Sequence, residues 1–308
     1  MIKPRHIQPG DRVGIIAPAS PVTREQIEDG LQLLEQRGYV PVLGEHLWEQ
    51  DGFLAGPDEH RAADIERMFA DDSIRAVICA RGGYGVARAL DHLDTSVIAE
   101  NPKLLVGFSD VTMLHLACQA EADLVTLYGP MLITFSVQRP AWVAEMWFRA
   151  MEVPEPLPTL PVEGRADCLT SGTAEGIVLG GCLCLLTDSI GTPYEPDTAE
   201  SILLLEDVDE QPHRVDAMLQ HLKQGGLLAA AEGIVVGEMT RTDEKPDPGI
   251  GVRSAESIVA DHLSGRGVPA VTGFPFGHMT APLTLPLGIR ARLDADAGTL
   301  TYLESATS

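Results

Sequence analysis

Short apolar runs and helical-period stripes take turns through the first half of this chain, and that rhythm restricts its fold more than any other feature. Val13 to Ala17 is a brief apolar run suited to a buried strand, and Ile27, Leu31 and Leu34 then recur at helical spacing until Gly38 closes the helix. Tyr39 to Leu43 reads as a second strand and Asp58 to Ala70 as a helix with Ile65, Met68 and Phe69 on one side. Strands at Ala76 to Ala80, Leu104 to Gly107 and Leu124 to Leu127 alternate with helices at Val86 to Leu93 and Val111 to Ala120. A βαβα order of this kind predicts a parallel sheet with helices on both faces, and such sheets hold ligands at the carboxyl ends of their strands.

The chain has 308 residues, enough for two domains. Val153 to Gly164 is proline-rich and carries no periodicity, which suits a linker. The expected division is an N-terminal α/β domain over 1–152, a linker over 153–165 and a smaller, strand-rich α+β domain over 166–308. In the second half, strands are expected at Gly176 to Leu179, Ile202 to Leu205 and Gly233 to Gly237. A helix carries Val215, Met218, Leu219 and Leu222, and a hairpin turns at Asp296-Ala297-Gly298.

Composition removes several classes of function. With 45 acidic against 22 basic residues the formal net charge is -23, which repels phosphate backbones and anionic lipid. Nucleic acid and membrane are therefore not expected partners, and solubility is the plain use of the charge. No segment reads as a signal peptide and no run approaches a membrane helix, so a cytoplasmic protein is expected. The five cysteines sit among apolar neighbours, as reduced buried thiols would, and Cys182-Leu183-Cys184 has no second cysteine or histidine pair beside it. There is no HExxH, and none of the nine histidines stands at metal-ligand spacing, so no metal is expected, and the serine chemistry read below needs no organic cofactor.

Four segments carry chemistry. In Lys103 to Ala117 a strand runs into Gly107-Phe108-Ser109-Asp110 and a helix follows at once, as in a nucleophile elbow, although Val111 stands where that motif has its second glycine. Ser109 is equally readable as a helix N-cap. Arg81-Gly82-Gly83-Tyr84-Gly85 follows a strand. It lacks the lysine of a phosphate loop, and either supplies a backbone donor to an oxyanion or simply turns. Leu203-Leu204-Leu205-Glu206-Asp207 buries leucines and then presents a carboxylate that could orient a histidine or merely end a strand. Gly273 to His278 is a shaped loop ending in the residue most used as a general base. Serine, acid and histidine thus follow strand-like segments in an order that hydrolytic triads use.

Together these segments resemble the serine LD-carboxypeptidases, which include the muramoyl-tetrapeptide carboxypeptidases. The matching stretches are RVGIIAPAS, ICARGGYGVARAL, PKLLVGFSDVTMLH, LYGPM, GIVLGGCLCLL, GTPY, LLLEDVDEQPHRVDAML and FPFGH followed by LPLG, nearly the whole chain. The resemblance implies Ser109 as nucleophile, His278 as base and then acid, and Glu206 as the carboxylate orienting His278. It also implies an oxyanion hole from the backbone N–H groups of Gly83 and Asp110. Arg81, Tyr84 and Tyr128 are the candidates for binding a small peptide or muropeptide, and family members are commonly homodimers. Tyr128-Gly129-Pro130 replaces the HGP of many members, and Ala217 stands where an arginine is usual. YGP occurs in a branch that includes the microcin C self-immunity peptidases, which cleave a peptide-nucleotide. For that substrate Trp142 and Trp147 are candidates to stack a base. A non-catalytic binding protein on the same fold is the alternative of another class.

Overall fold

The computed structural model describes residues 1–161, 166–244 and 253–308. The chain forms two compact units, Met1–Glu155 with Thr284–Gly288 and Ser305–Ser308, and Pro156–Leu283 with Ile289–Glu304. The first passage between units lies inside the expected linker, of which 162–165 fall outside the described residues. Two late segments expected in the second domain return to the first.

In the first unit the elements run β1 (Arg12–Ile16), α1 (Arg24–Arg37), β2 (Val40–Leu43), α2 (Asp58–Ala70), β3 (Ile74–Cys79), α3 (Val86–Ala89), α4 (Ser96–Glu100), β4 (Leu104–Gly107), α5 (Thr112–Ala122), β5 (Thr126–Tyr128) and α6 (Ala141–Glu152). Local chemistry sets their ends. Thr23 and Gln26 form a reciprocal capping box at the start of α1, and Gly38 closes it at φ 97°. The expected helix Val86 to Leu93 is a single α-turn relaxing into a 3-10 turn at Leu90–His92.

Strands β1 to β5 are parallel to their neighbours, in the order β5-β4-β3-β1-β2. Val13, Ile15, Ile16, the stretch Ala76–Cys79 and Leu104–Val106 are all buried, as strands covered on both faces must be. The order reverses between β1 and β3, so the loops after these two strands flank the switch point where α/β sheets hold ligands. The sixth strand, Leu285–Leu287, pairs antiparallel with β5.

The second unit contains β6 (Asp167–Thr170), β7 (Thr173–Cys182), α7 (Leu183–Ser189), β8 (Ser201–Val208), α8 (Pro212–Gln224), α9 (Leu227–Ala230), β9 (Gly233–Thr240), α10 (Ala255–Leu263) and β10 (Ala270–Thr272). After Leu285–Leu287, which is β11, come β12 (Arg290–Asp294) and β13 (Thr299–Tyr302). The sheet order is β13-β12-β7-β8-β9-β10-β6. Strands β7 to β10 are mutually parallel, and the antiparallel β12–β13 hairpin lies at one edge. The α/β class with two sheets is as expected. The thiols differ from expectation, because Cys168 is exposed and Cys184 half-buried, although none of the five is in a disulfide. No helix among the described residues is long and apolar enough to cross a membrane.

Candidate active site

Ser109 sits at φ +66°, in the left-handed region that side chains avoid, directly after the extended Phe108. The turn is therefore strained as a nucleophile elbow is, and Ser109 is not the N-cap, because it is the first residue of a 3-10 turn capped by Phe108 and the α-helix that follows is capped by Val111. The hydrolase motif relieves such a turn with two glycines. Here Gly107 alone suffices, since a Cβ on it would come within 2.8 Å of the Val111 side chain.

Two buried side chains hold the turn. The Tyr128 hydroxyl accepts from the Ser109 N–H at 3.3 Å. His115 Nε2–H donates to the Gly107 carbonyl at 2.9 Å, while its Nδ1 accepts from the Thr126 hydroxyl at 2.9 Å. A carbonyl only accepts, which fixes that tautomer. Burial pushes the His115 pKa down to about 4, so the imidazole is neutral near neutral pH.

The glycine loop after β3 lies against the serine. A Cβ on Gly82 would be 2.9 Å from Ser109 Cβ and 3.1 Å from its Oγ, so only glycine lets this backbone approach. Gly83 has φ +116°, and a Cβ there would collide with Ser20 Oγ at 2.2 Å. Ser20, in the loop after β1, donates from its N–H to the Gly82 carbonyl and accepts from the Tyr84 N–H. The buried Asp110 carboxylate accepts from the Val86 N–H at 2.8 Å, tying the elbow to the far end of the same loop.

Arg61, from α2, completes the clamp and was not legible in the sequence, where it reads as one more charge on a helix. It is 2 % exposed, and its Nη1 donates to the carbonyls of Pro18 at 2.7 Å and Gly85 at 2.6 Å. Both loops at the switch point thus hang on one guanidinium, which Asp58 neutralises.

The substrate-binding candidates separate. Tyr84 is exposed and meets Phe53 edge-on with ring centroids 5.6 Å apart. Arg81 donates to the Pro21 carbonyl at 3.0 Å and lines a pocket of about 630 Å³ with Trp48, Val22 and Gln26. Tyr128 is fully buried and supports the elbow backbone. Trp147 is also fully buried, packed between Phe135 and Phe148, so it has no face left to stack on a base.

In the second unit Glu206 and His278 form a pair. Glu206 Oε2 accepts from His278 Nδ1–H at 2.8 Å and from the His278 backbone N–H at 3.1 Å. Strand β9 bulges opposite Glu206, because Leu205 faces Val236 while Asp207 faces Met239. Two glycines make room for the carboxylate. A Cβ on Gly277 would overlap Glu206 at 2.3 Å, and one on Gly237 would come within 3.1 Å of Glu206 Cβ. The Thr240 hydroxyl donates to the His278 carbonyl at 2.7 Å, and Phe274 and Phe276 are fully buried beneath the loop.

The electrostatics follow from burial. Desolvation lowers the His278 pKa, but the charge and hydrogen bond of Glu206, with the charge of Asp207, more than offset it and raise it above 6.5. Burial and the neighbouring Glu206 push Asp207 up to about 6. Asp207 accepts from the Cys184 N–H at 2.8 Å and lies beside Cys182 and Cys184, whose sulfurs are 3.4 Å apart. A serine on a positive-φ turn after a strand, and an imidazole whose Nδ1–H donates to a buried carboxylate, are both arrangements that acyl-transfer chemistry uses.

The comparisons with known proteins agree across the chain. Residues 13–129 match the family described as LD-carboxypeptidase N-terminal domain, and residues 175–293 match LD-carboxypeptidase C-terminal domain. The "Probable murein peptide carboxypeptidase" of Bacillus subtilis is 38% identical over 95% of this chain and 91% of that protein. The crystal structure of muramoyltetrapeptide carboxypeptidase from Oxalobacter formigenes superposes with a TM-score of 0.80 at 29% identity, covering 94% of this chain and 97% of the other. The microcin C7 self immunity protein MccF in complex with aspartyl sulfamoyl adenosine superposes with a TM-score of 0.90 at 24% identity over the whole of both chains, a likeness of fold alone.

Proposed function

The chain belongs to the LD-carboxypeptidase family, and from that membership we propose that it hydrolyses an L,D-peptide bond and releases terminal D-alanine from a muropeptide tetrapeptide during cell-wall recycling. The observation that carries the proposal is the buried Glu206 carboxylate bonded to Nδ1 of His278. That bond orients the ring and stabilises the imidazolium that forms when Nε2 takes a proton.

In this reading Ser109 is the nucleophile. Its hydroxyl loses a proton to His278 as it adds to the scissile carbonyl. The backbone N–H groups of Gly83 and Asp110 hold the oxyanion, each such donor contributing on the order of 3 kcal/mol. His278 then protonates the departing amine of D-alanine, and water, deprotonated by the same ring, cleaves the acyl-enzyme. Every step is proton transfer and acyl transfer by groups of this chain. Arg81 is the candidate cation for the substrate's free carboxylate. A homodimer and a cytoplasmic setting belong to the same reading, and light scattering and cell fractionation test them.

The deciding experiment incubates the protein with purified muropeptide tetrapeptide and, separately, with an aspartyl-adenylate analogue. D-Alanine release by the wild type, abolished in Ser109→Ala with folding intact, supports the proposal. Folded wild type that leaves the tetrapeptide whole sinks it, and cleavage of the nucleotide conjugate alone moves the chain to the other substrate class.

A further inference from the structure

Outside the elbow and the Glu206–His278 pair, the first unit holds a second cluster of chemically capable side chains. His46 and Glu49 lie in the loop after β2, and His60 lies in the first turn of α2. Glu49 shares its two oxygens between the rings, Oε1 at 2.9 Å from His46 Nδ1 and Oε2 at 2.8 Å from His60 Nδ1. The imidazoles stack with centroids 4.1 Å apart and planes inclined by 24°. One donor atom from each of the three residues falls within 4.8 Å of the others.

The surroundings are fixed. The buried Asp64 carboxylate accepts from the backbone N–H groups of Glu45 and His46, both at 3.0 Å, and so anchors the loop. Gly56, at φ +83°, leaves the space in which the Glu49 carboxylate rests, since a Cβ there would stand 2.4 Å from Oε2. The three side chains are 18 to 44 % exposed, so an ion can reach them from solvent.

We propose that His46, Glu49 and His60 bind a borderline divalent transition-metal ion of the zinc class, with water completing its coordination. Two imidazole nitrogens and a carboxylate oxygen suit zinc, with bonds of about 2.0–2.2 Å. The observed pairs are hydrogen bonds of 2.8–2.9 Å; neighbouring ligand atoms on a tetrahedral ion with bonds of about 2.0–2.2 Å stand about 3.3–3.6 Å apart, so each pair opens by roughly half an ångström when a metal replaces its proton. The spacing of the three residues matches no common zinc motif, which is why the sequence raised no such expectation.

The test uses tag-free, full-length protein freed of metal with a chelator, titrated with zinc by calorimetry and with cobalt by visible absorption. The expected result is one zinc ion per chain and an intense cobalt d–d spectrum, with affinity falling at least about 100-fold in His46→Gln/His60→Gln, whose folding is checked by circular dichroism. Glu49→Gln, which keeps the shape and removes the charge, should weaken binding while leaving the stoichiometry. Unchanged binding in the double variant, loss of binding only in Cys182→Ser/Cys184→Ser, or no saturable binding by the wild type would each overturn the proposal.

Discussion

Ser109 is held at φ +66°, and its strain is separable from its chemistry. For a residue with a Cβ, the left-handed region costs about 1–2 kcal/mol, whereas glycine adopts it freely. Replacing Ser109 by Ala removes the hydroxyl and keeps the strain, and replacing it by Gly removes both. Glycine also loosens the unfolded chain, at roughly 0.5–1 kcal/mol relative to alanine, so from the central values Ser109→Gly should be more stable than Ser109→Ala by about 0.75 kcal/mol.

The molecule supplies a reporter for this difference. Its three tryptophans, Trp48, Trp142 and Trp147, all belong to the unit that contains Ser109, so urea unfolding followed by tryptophan fluorescence reads that unit. With a slope near 2 kcal/mol per molar urea, the midpoints should differ by about 0.4 M, and both variants should be inactive. Equal midpoints, or a lower one for the glycine variant, would refute the claim that this backbone is strained. Residual turnover in either variant at the wild-type rate would refute the nucleophile.

Other outcomes follow from the buried groups. Glu206→Gln should lower kcat by about 10³–10⁴ with the fold intact, as loss of the orienting carboxylate does in other triads, measured as D-alanine released per minute. A base must be neutral to act, and the His278 pKa is raised, so the acid limb of kcat/KM should lie above pH 6.5 in the wild type and move to lower pH in Glu206→Gln. His115 titrates at 6.5 when unfolded and at about 4 when folded, so its contribution to stability is complete above pH 6.5 and is lost as pH falls toward 4. Over that window wild type should lose about 3 kcal/mol more than His115→Gln, a comparison that urea midpoints at several pH values make directly.

Much of this architecture was legible because period and punctuation agreed. Asp58–Ala70 and Leu104–Gly107 fall at the bounds that their patterns set, since proline, glycine and apolar spacing all mark the same ends. The elements that escaped are those whose partners lie far away in sequence. Strands β10 and β11 have three residues each, too few to show an alternation, and exist because β9 and β5 present edges to them. Helix α6 hides in the mixed stretch before the prolines, though its buried Val143, Trp147, Phe148 and Met151 give it a core face.

Of the residues proposed to act together, Ser109, Glu206 and His278 could be picked out by type and order, but not what holds each of them in place. A positive φ leaves no mark on a serine, and a buried arginine such as Arg61 looks like any other helix charge until the carbonyls of Pro18 and Gly85 arrive beside it. The bulge opposite Glu206 depends on register, which sequence alone does not set.

The late strand β11 gives the first unit an unusual history on the ribosome. Strand β5 ends at Tyr128, yet its outer neighbour begins at Leu285, after nearly all of the second unit has been made. At synthesis rates of about 5–20 residues per second, the nascent sheet waits on the order of ten seconds with β5 uncapped. During that interval its open backbone offers a pairing edge to any other nascent chain nearby, so translation speed across the second unit sets how long the growing protein is vulnerable to aggregation.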